Sequence, residues 1–217
     1  MSYLKNLIII LALVLTSGCA FTDATLKVDY DESHATRGPI EKVEPLSFEV
    51  ARFADKREDR VRIGYKRNGY GQKTADISTE KPVTAIVEDA LKATIKHNGH
   101  GLSDEGQVIV TGDVTEFWFD ADPGFWTVRF MGTVESRIEF MDAATDASIY
   151  ANDYRGYYEK ETPGGLENTW TEVMELALEN MIDSVVKDPE LAKALRANAR
   201  NTGARPEVSA GAAGQPH

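Results

Sequence analysis

The sequence predicts an α+β fold, a two-layer sandwich with two amphipathic helices on one face of a mainly antiparallel sheet of about four strands. Three observations predict it. Residues 83–95 and 170–185 carry apolar side chains at helical spacing. Residues 126–140 alternate apolar and polar, the period of a strand with one wet face. The elements follow the order strand, helix, three strands, helix, which suits a sheet covered on one side.

The first strand is the alternation of Leu46, Phe48 and Val50 with Ser47 and Glu49. Residues 61–78, punctuated by Gly64, Gly69 and Gly71, read as a long irregular loop or a weak hairpin. Pro82 opens a helix whose stripe is Val83, Ile86, Val87, Ala90, Leu91, Thr94 and Ile95, and Asn98-Gly99 stops it. Val108, Val110, Val114 and Trp118 then share one strand face, followed by a turn at Asp122-Pro123-Gly124. The next strand places Trp126, Val128, Phe130, Gly132, Val134, Ile138 and Phe140 on its core side. A third strand spans about Ala147–Tyr158 and carries Tyr150, Tyr154 and Tyr158 on one face. Thr169-Trp170-Thr171-Glu172 reads as a capping box for the second helix, and Lys187-Asp188-Pro189 interrupts that helix before a short last one to about Ala199.

Outside this domain of residues 45–199, residues 19–44 read as a flexible tether and residues 200–217, rich in Ala, Gly and Pro, as a disordered tail. The formal net charge is −11. Such a charge repels nucleic acid and anionic lipid surfaces, and no basic run offsets it.

The N-terminus carries an address. Lys5 precedes an apolar run, Leu7–Leu15, too short at about 1.5 Å per residue to cross a ~30 Å hydrocarbon core. It fits the apolar region of a signal peptide, residues 1–18. Leu15-Thr16-Ser17-Gly18-Cys19-Ala20 follows, and Cys19 is the one cysteine of the chain. The pattern resembles the lipobox of bacterial lipoproteins, although Thr16 stands where that pattern prefers Leu. The resemblance implies cleavage before Cys19, acyl chains such as palmitate on it, and a periplasm-facing protein held by lipid. Ala20, where an Asp would favour retention at the inner membrane, points to the outer membrane. Removing Lys5 with the signal leaves 23 basic against 35 acidic side chains, a net of −12.

Phe53-Ala54-Asp55-Lys56-Arg57, then Ile63-Gly64, then Val87 and Ala90-Leu91 in the first helix resemble the YajG-like group of outer-membrane lipoproteins over about residues 45–190. The group implies an envelope lipoprotein without established catalytic residues. The element order is also similar to that of auxiliary lipid-handling lipoproteins of ABC-type transport systems.

The remaining chemistry points away from an enzyme. Asp55, Glu58 and Asp59 could serve as acid and base, but Lys56, Arg57 and Arg60 among them indicate mutual neutralisation. His97 and His100 have a spacing metal ligands can use, without a third ligand nearby, so no metal or other cofactor is expected. An envelope hydrolase is the least favoured alternative. Phe117, Phe119 and Phe125 are the candidate partner-binding residues: if Trp118 and Trp126 face the core, strand parity turns these three outward. The expectation is a non-catalytic binding or accessory module that meets a protein or another envelope component.

Overall fold

The computed structural model describes residues 21–164 and 167–203. The signal peptide, Cys19 and most of the expected disordered tail lie outside the described residues. Among the described residues there are nine strands and three α-helices: β1 Ala24–Leu26, β2 Ser47–Val50, β3 Ala54–Asp55, β4 Gly64–Arg67, β5 Lys73–Thr79, α1 Val83–His97, β6 Gly101–Leu102, β7 Val108–Pro123, β8 Val128–Asp142, β9 Ala147–Thr162, α2 Glu167–Val186 and α3 Pro189–Gly203. All nine strands form a single mixed sheet. This corrects the expected four-strand, mainly antiparallel sandwich with two helices, although the fold remains α+β.

The long antiparallel meander β7–β8–β9 is the frame. The other edge of β7 receives three short strands end to end, all parallel to it: β2 at Val108–Val110, β3 at Asp113–Val114 and β4 at Phe119. β6 adds beyond β2. β5 folds back antiparallel on β4, and β1 lies parallel to β5. The segment 61–78 is therefore a hairpin, closed by Asn68–Gln72 with Gly71 at φ +76°. The first strand read from the sequence is β2, whereas strands as short as β3, β4 and β6 lack an alternating pattern, which is why a sequence period does not reveal them.

Helix α2 lies directly on β8 and β9. A Cβ on Gly156 would sit 2.0 Å from the Ala177 carbonyl oxygen, and one on Gly132 2.8 Å from that of Val173. These two glycines let the helix backbone reach the sheet. The helix begins at Glu167, so Thr169 lies inside it and does not cap it.

Residues 21–46 do not form a free tether. Ala24, Leu26, Val28, Ile40 and Val43 are buried in the common core. Removing each larger one from water contributes about 1.5–3 kcal/mol, enough to hold a strap against its entropy. Polar contacts fix its course. The buried Asn98 donates to the Thr36 carbonyl oxygen (3.0 Å) and accepts from the Gly38 N–H (3.1 Å). His100 accepts from the Leu46 N–H at 3.2 Å and lies 3.1 Å from the Ile40 carbonyl oxygen, so the tautomer with its proton on Nε2 satisfies both contacts.

Candidate functional site

The strand directions define two ends. β7 runs towards its turn with β8 at Gly124–Thr127, β4 runs parallel to it towards the turn 68–72, and β9 finishes at Thr162. These turns share one end, called the tip. β1 runs parallel to β5 with Ala24 opposite Ile77, so residues before Ala24 extend towards the tip as well. The Asp76 N–H donates to the Asp23 carboxylate (2.9 Å), and Thr22 lines a cleft with Asn68 and Thr74. The opposite end, the base, holds the turns 103–107 and 143–146.

The tip is aromatic and uncharged. Phe125 and Trp126 are 88% and 82% exposed, with rings 4.7 Å apart and perpendicular. Tyr70 is 93% and Phe21 70% exposed. The loops Asn68–Gln72, Pro123–Thr127 and Pro163–Gly164 contain no ionisable acid or base apart from the Tyr70 phenol, in a chain that is 27% charged. Of the charges bordering them, Arg67 pairs with Asp120 at 2.9 Å and Lys66 with Glu167 at 3.3 Å, while Glu161 accepts from the Thr127 hydroxyl.

Two of the three sequence-predicted aromatic residues are elsewhere. Phe117 and Phe119 are 0% and 1% exposed, inside the core. The register between β7 and β8 shifts between Val114 and Glu116. This bulge adds one residue and exchanges the faces beyond it. Trp118 therefore turns to the open face, edge-on to Tyr65 at 5.7 Å. Trp126, expected in the core, sits in the turn. Phe125 alone of the three is exposed as expected.

A cleft of about 790 Å³ descends from the tip between the sheet and the start of α2. Phe119, Ala121, Val128, Phe130 and Trp170 supply its apolar wall. The Trp170 Nε1–H is buried there without a hydrogen-bond partner among the described residues. A second cleft, on the open face, is lined by Arg57, Asp59, Tyr65, Glu116, Trp118 and Glu135. Burial, reinforced by Glu135, pushes the Glu116 carboxyl up.

The charged run beside that second cleft is a structural knot. Arg57 is buried, makes a bidentate pair with Asp55 (3.0 and 2.9 Å), and donates to the Arg60 and Arg62 carbonyl oxygens. Burial opposes the Asp55 charge, but the bonds from Arg57 outweigh it and hold the carboxyl low. Asp59 accepts from the Val61 and Arg62 N–H groups. These groups are held by one another. His97 is exposed while His100 is buried against Phe48 and the strap, so the two do not converge.

A family model described as uncharacterized lipoprotein matches residues 48–196. The chain belongs to that lipoprotein family. No curated protein matches it. Among solved structures, this lipoprotein is similar to protein XCC0632 from Xanthomonas campestris at 12% identity and a TM-score of 0.52, covering 84% of this chain and 99% of that one. It is also similar to protein CT253 from Chlamydia trachomatis (8%, TM-score 0.46, covering 75% and 99%) and to lipoprotein GNA1162 from Neisseria meningitidis (12%, TM-score 0.28, covering 65% and 96%). The first of these likenesses shows a shared fold.

Proposed function

We propose that this lipoprotein is a non-catalytic accessory module of the cell envelope. It is anchored by acyl chains on Cys19 at the outer membrane, faces the periplasm, is allied to the YajG-like group, and binds another envelope component through its tip. The observation that carries the reading is the distribution of polarity. Asp55, Arg57 and Asp59 are locked in a structural knot, while the uncharged tip leaves Phe125, Trp126 and Tyr70 in water. An aromatic cluster in solvent is a binding surface by composition. Cys19→Ser tests the anchor. The variant should lose the acyl mass and leave the membrane fraction, and a wild-type protein without acyl mass would sink the reading.

The cleft favours a second reading, an auxiliary lipid-handling lipoprotein of a transport system. Its apolar wall and the Trp170 N–H, unpaired among the described residues, suit an acyl chain with a polar acceptor near it. Native mass spectrometry of the detergent-purified protein tests this. Co-purified phospholipid that is lost in Ala121→Trp would support it, and a lipid-free protein would not.

A further inference from the structure

Cys19, the proposed lipid attachment point, lies five residues before the start of β1, which points to the tip. Only Ala20 separates Cys19 from Phe21, and β1 begins at Ala24. Five residues reach at most about 17 Å. β7 spans Val108–Pro123, a length of about 50 Å from base to tip. The strap is pinned along its course and supplies no slack, so an acylated Cys19 cannot leave the base resting on the bilayer and the tip free of it.

On this geometry, and resting on the anchored reading above, we infer that the envelope component bound by the tip is the lipid bilayer that holds Cys19, with Phe125, Trp126 and Tyr70 seated in its interfacial region.

The composition of the tip fits that occupant. Trp and Tyr, with apolar bodies and polar edges, favour the membrane–water boundary. An acidic protein is repelled by an anionic surface, so contact needs a part of the molecule without negative charge. The tip loops meet that need. Behind them, Arg129 is the cross-strand partner of both Asp122 and Glu161 and offsets part of their charge. The base turns instead carry Asp104, Glu105 and Asp146, which an anionic surface would push away. Attachment through Cys19 raises the local concentration of bilayer at the tip, so each aromatic side chain needs to add little affinity of its own.

The test uses the full acylated protein in living cells, with a photoreactive benzophenone side chain replacing Phe125 in one strain and Asp146 at the base in another. Irradiation should give phospholipid adducts at position 125 and none at 146, as read by mass spectrometry of the purified protein. Protein adducts at 125 without phospholipid adducts would overturn bilayer docking and leave the anchored binding module standing. Phospholipid adducts equal at both positions would overturn the assigned orientation. A protein found without acyl chains would bring down the anchored reading and this inference together.

Discussion

The two ends of the molecule solve opposite problems. The base is closed. There the strap crosses, α2 gives way to α3, and Asp188 gathers the junction. Its carboxylate accepts from the Tyr150 and Tyr154 hydroxyls, both at 2.9 Å, and from the Glu190 and Leu191 N–H groups that open α3. The tip shows no such closure among the described residues and presents aromatic rings to solvent. Substitutions at the base should therefore act on stability, and those at the tip surface on binding.

The sharpest contrast lies within one hairpin. Phe119→Ala removes a core ring and should cost about 3–5 kcal/mol in denaturant unfolding. Phe125→Ala, a few residues away, should cost less than about 0.5 kcal/mol. Similar losses from both would erase the distinction between core and tip.

Next in size is the base. Asp188→Ala removes a helix cap and strands two tyrosine hydroxyls, one nearly buried, at about 2–4 kcal/mol. Membrane association of the folded variant should not change. Burial pushes the Asp188 carboxyl up, but the bonds from Tyr150, Tyr154, Leu191 and Glu190 outweigh that and hold it below its ordinary 3.8. Its stabilisation is therefore complete above that value and is lost as pH falls through the lower folded value. Urea unfolding at a series of acid pH values should show this loss in wild type and not in Asp188→Asn.

A smaller pH effect belongs to the strap. Burial lowers the His100 value below its ordinary 6.5, only partly opposed by the bond to Ile40. The unfolded chain then takes up a proton before the folded one does, so stability falls as pH drops below about 6.5. The same titration in His100→Gln should lack that component, and an unchanged slope would show that the strap is not pinned through a neutral imidazole. Smallest of all is the stability effect of Phe125→Ser with Trp126→Ser, within about 0.5 kcal/mol by thermal unfolding.

Much of the covered core is legible in the sequence, because α1, α2, β8 and β9 carry long uninterrupted periods. Of the short strands along β7, β2 is legible in the alternation of Leu46, Phe48 and Val50, while β3 and β4 are not. Two to four residues hold no period, and their place is set by hydrogen bonding to a strand far away in sequence. Two features that the strand periods miss do leave a signal. Ala24, Leu26 and Val28 alternate with Thr25 and Lys27, a strand pattern inside the expected tether. On β7, carrying the phase of Val108 and Val110 forward places Glu116, Asp120 and Asp122 on the core face, while a slip of one residue replaces them with Phe117, Phe119 and Ala121. The cost of burying three carboxylates is by itself an argument for a bulge. The tip is visible in the sequence as aromatic density, but its relation to Cys19 depends on the parallel pairing of β1 with β5.

Whether the tip enters the bilayer is read most directly by tryptophan fluorescence. The acylated protein in phospholipid vesicles with bromine atoms near the headgroup end of the acyl chains should be quenched. Trp126→Phe should abolish most of that quenching, and Trp118→Phe should leave it intact. Quenching that survives in Trp126→Phe, or is absent from the wild type, would contradict a tip seated in the membrane.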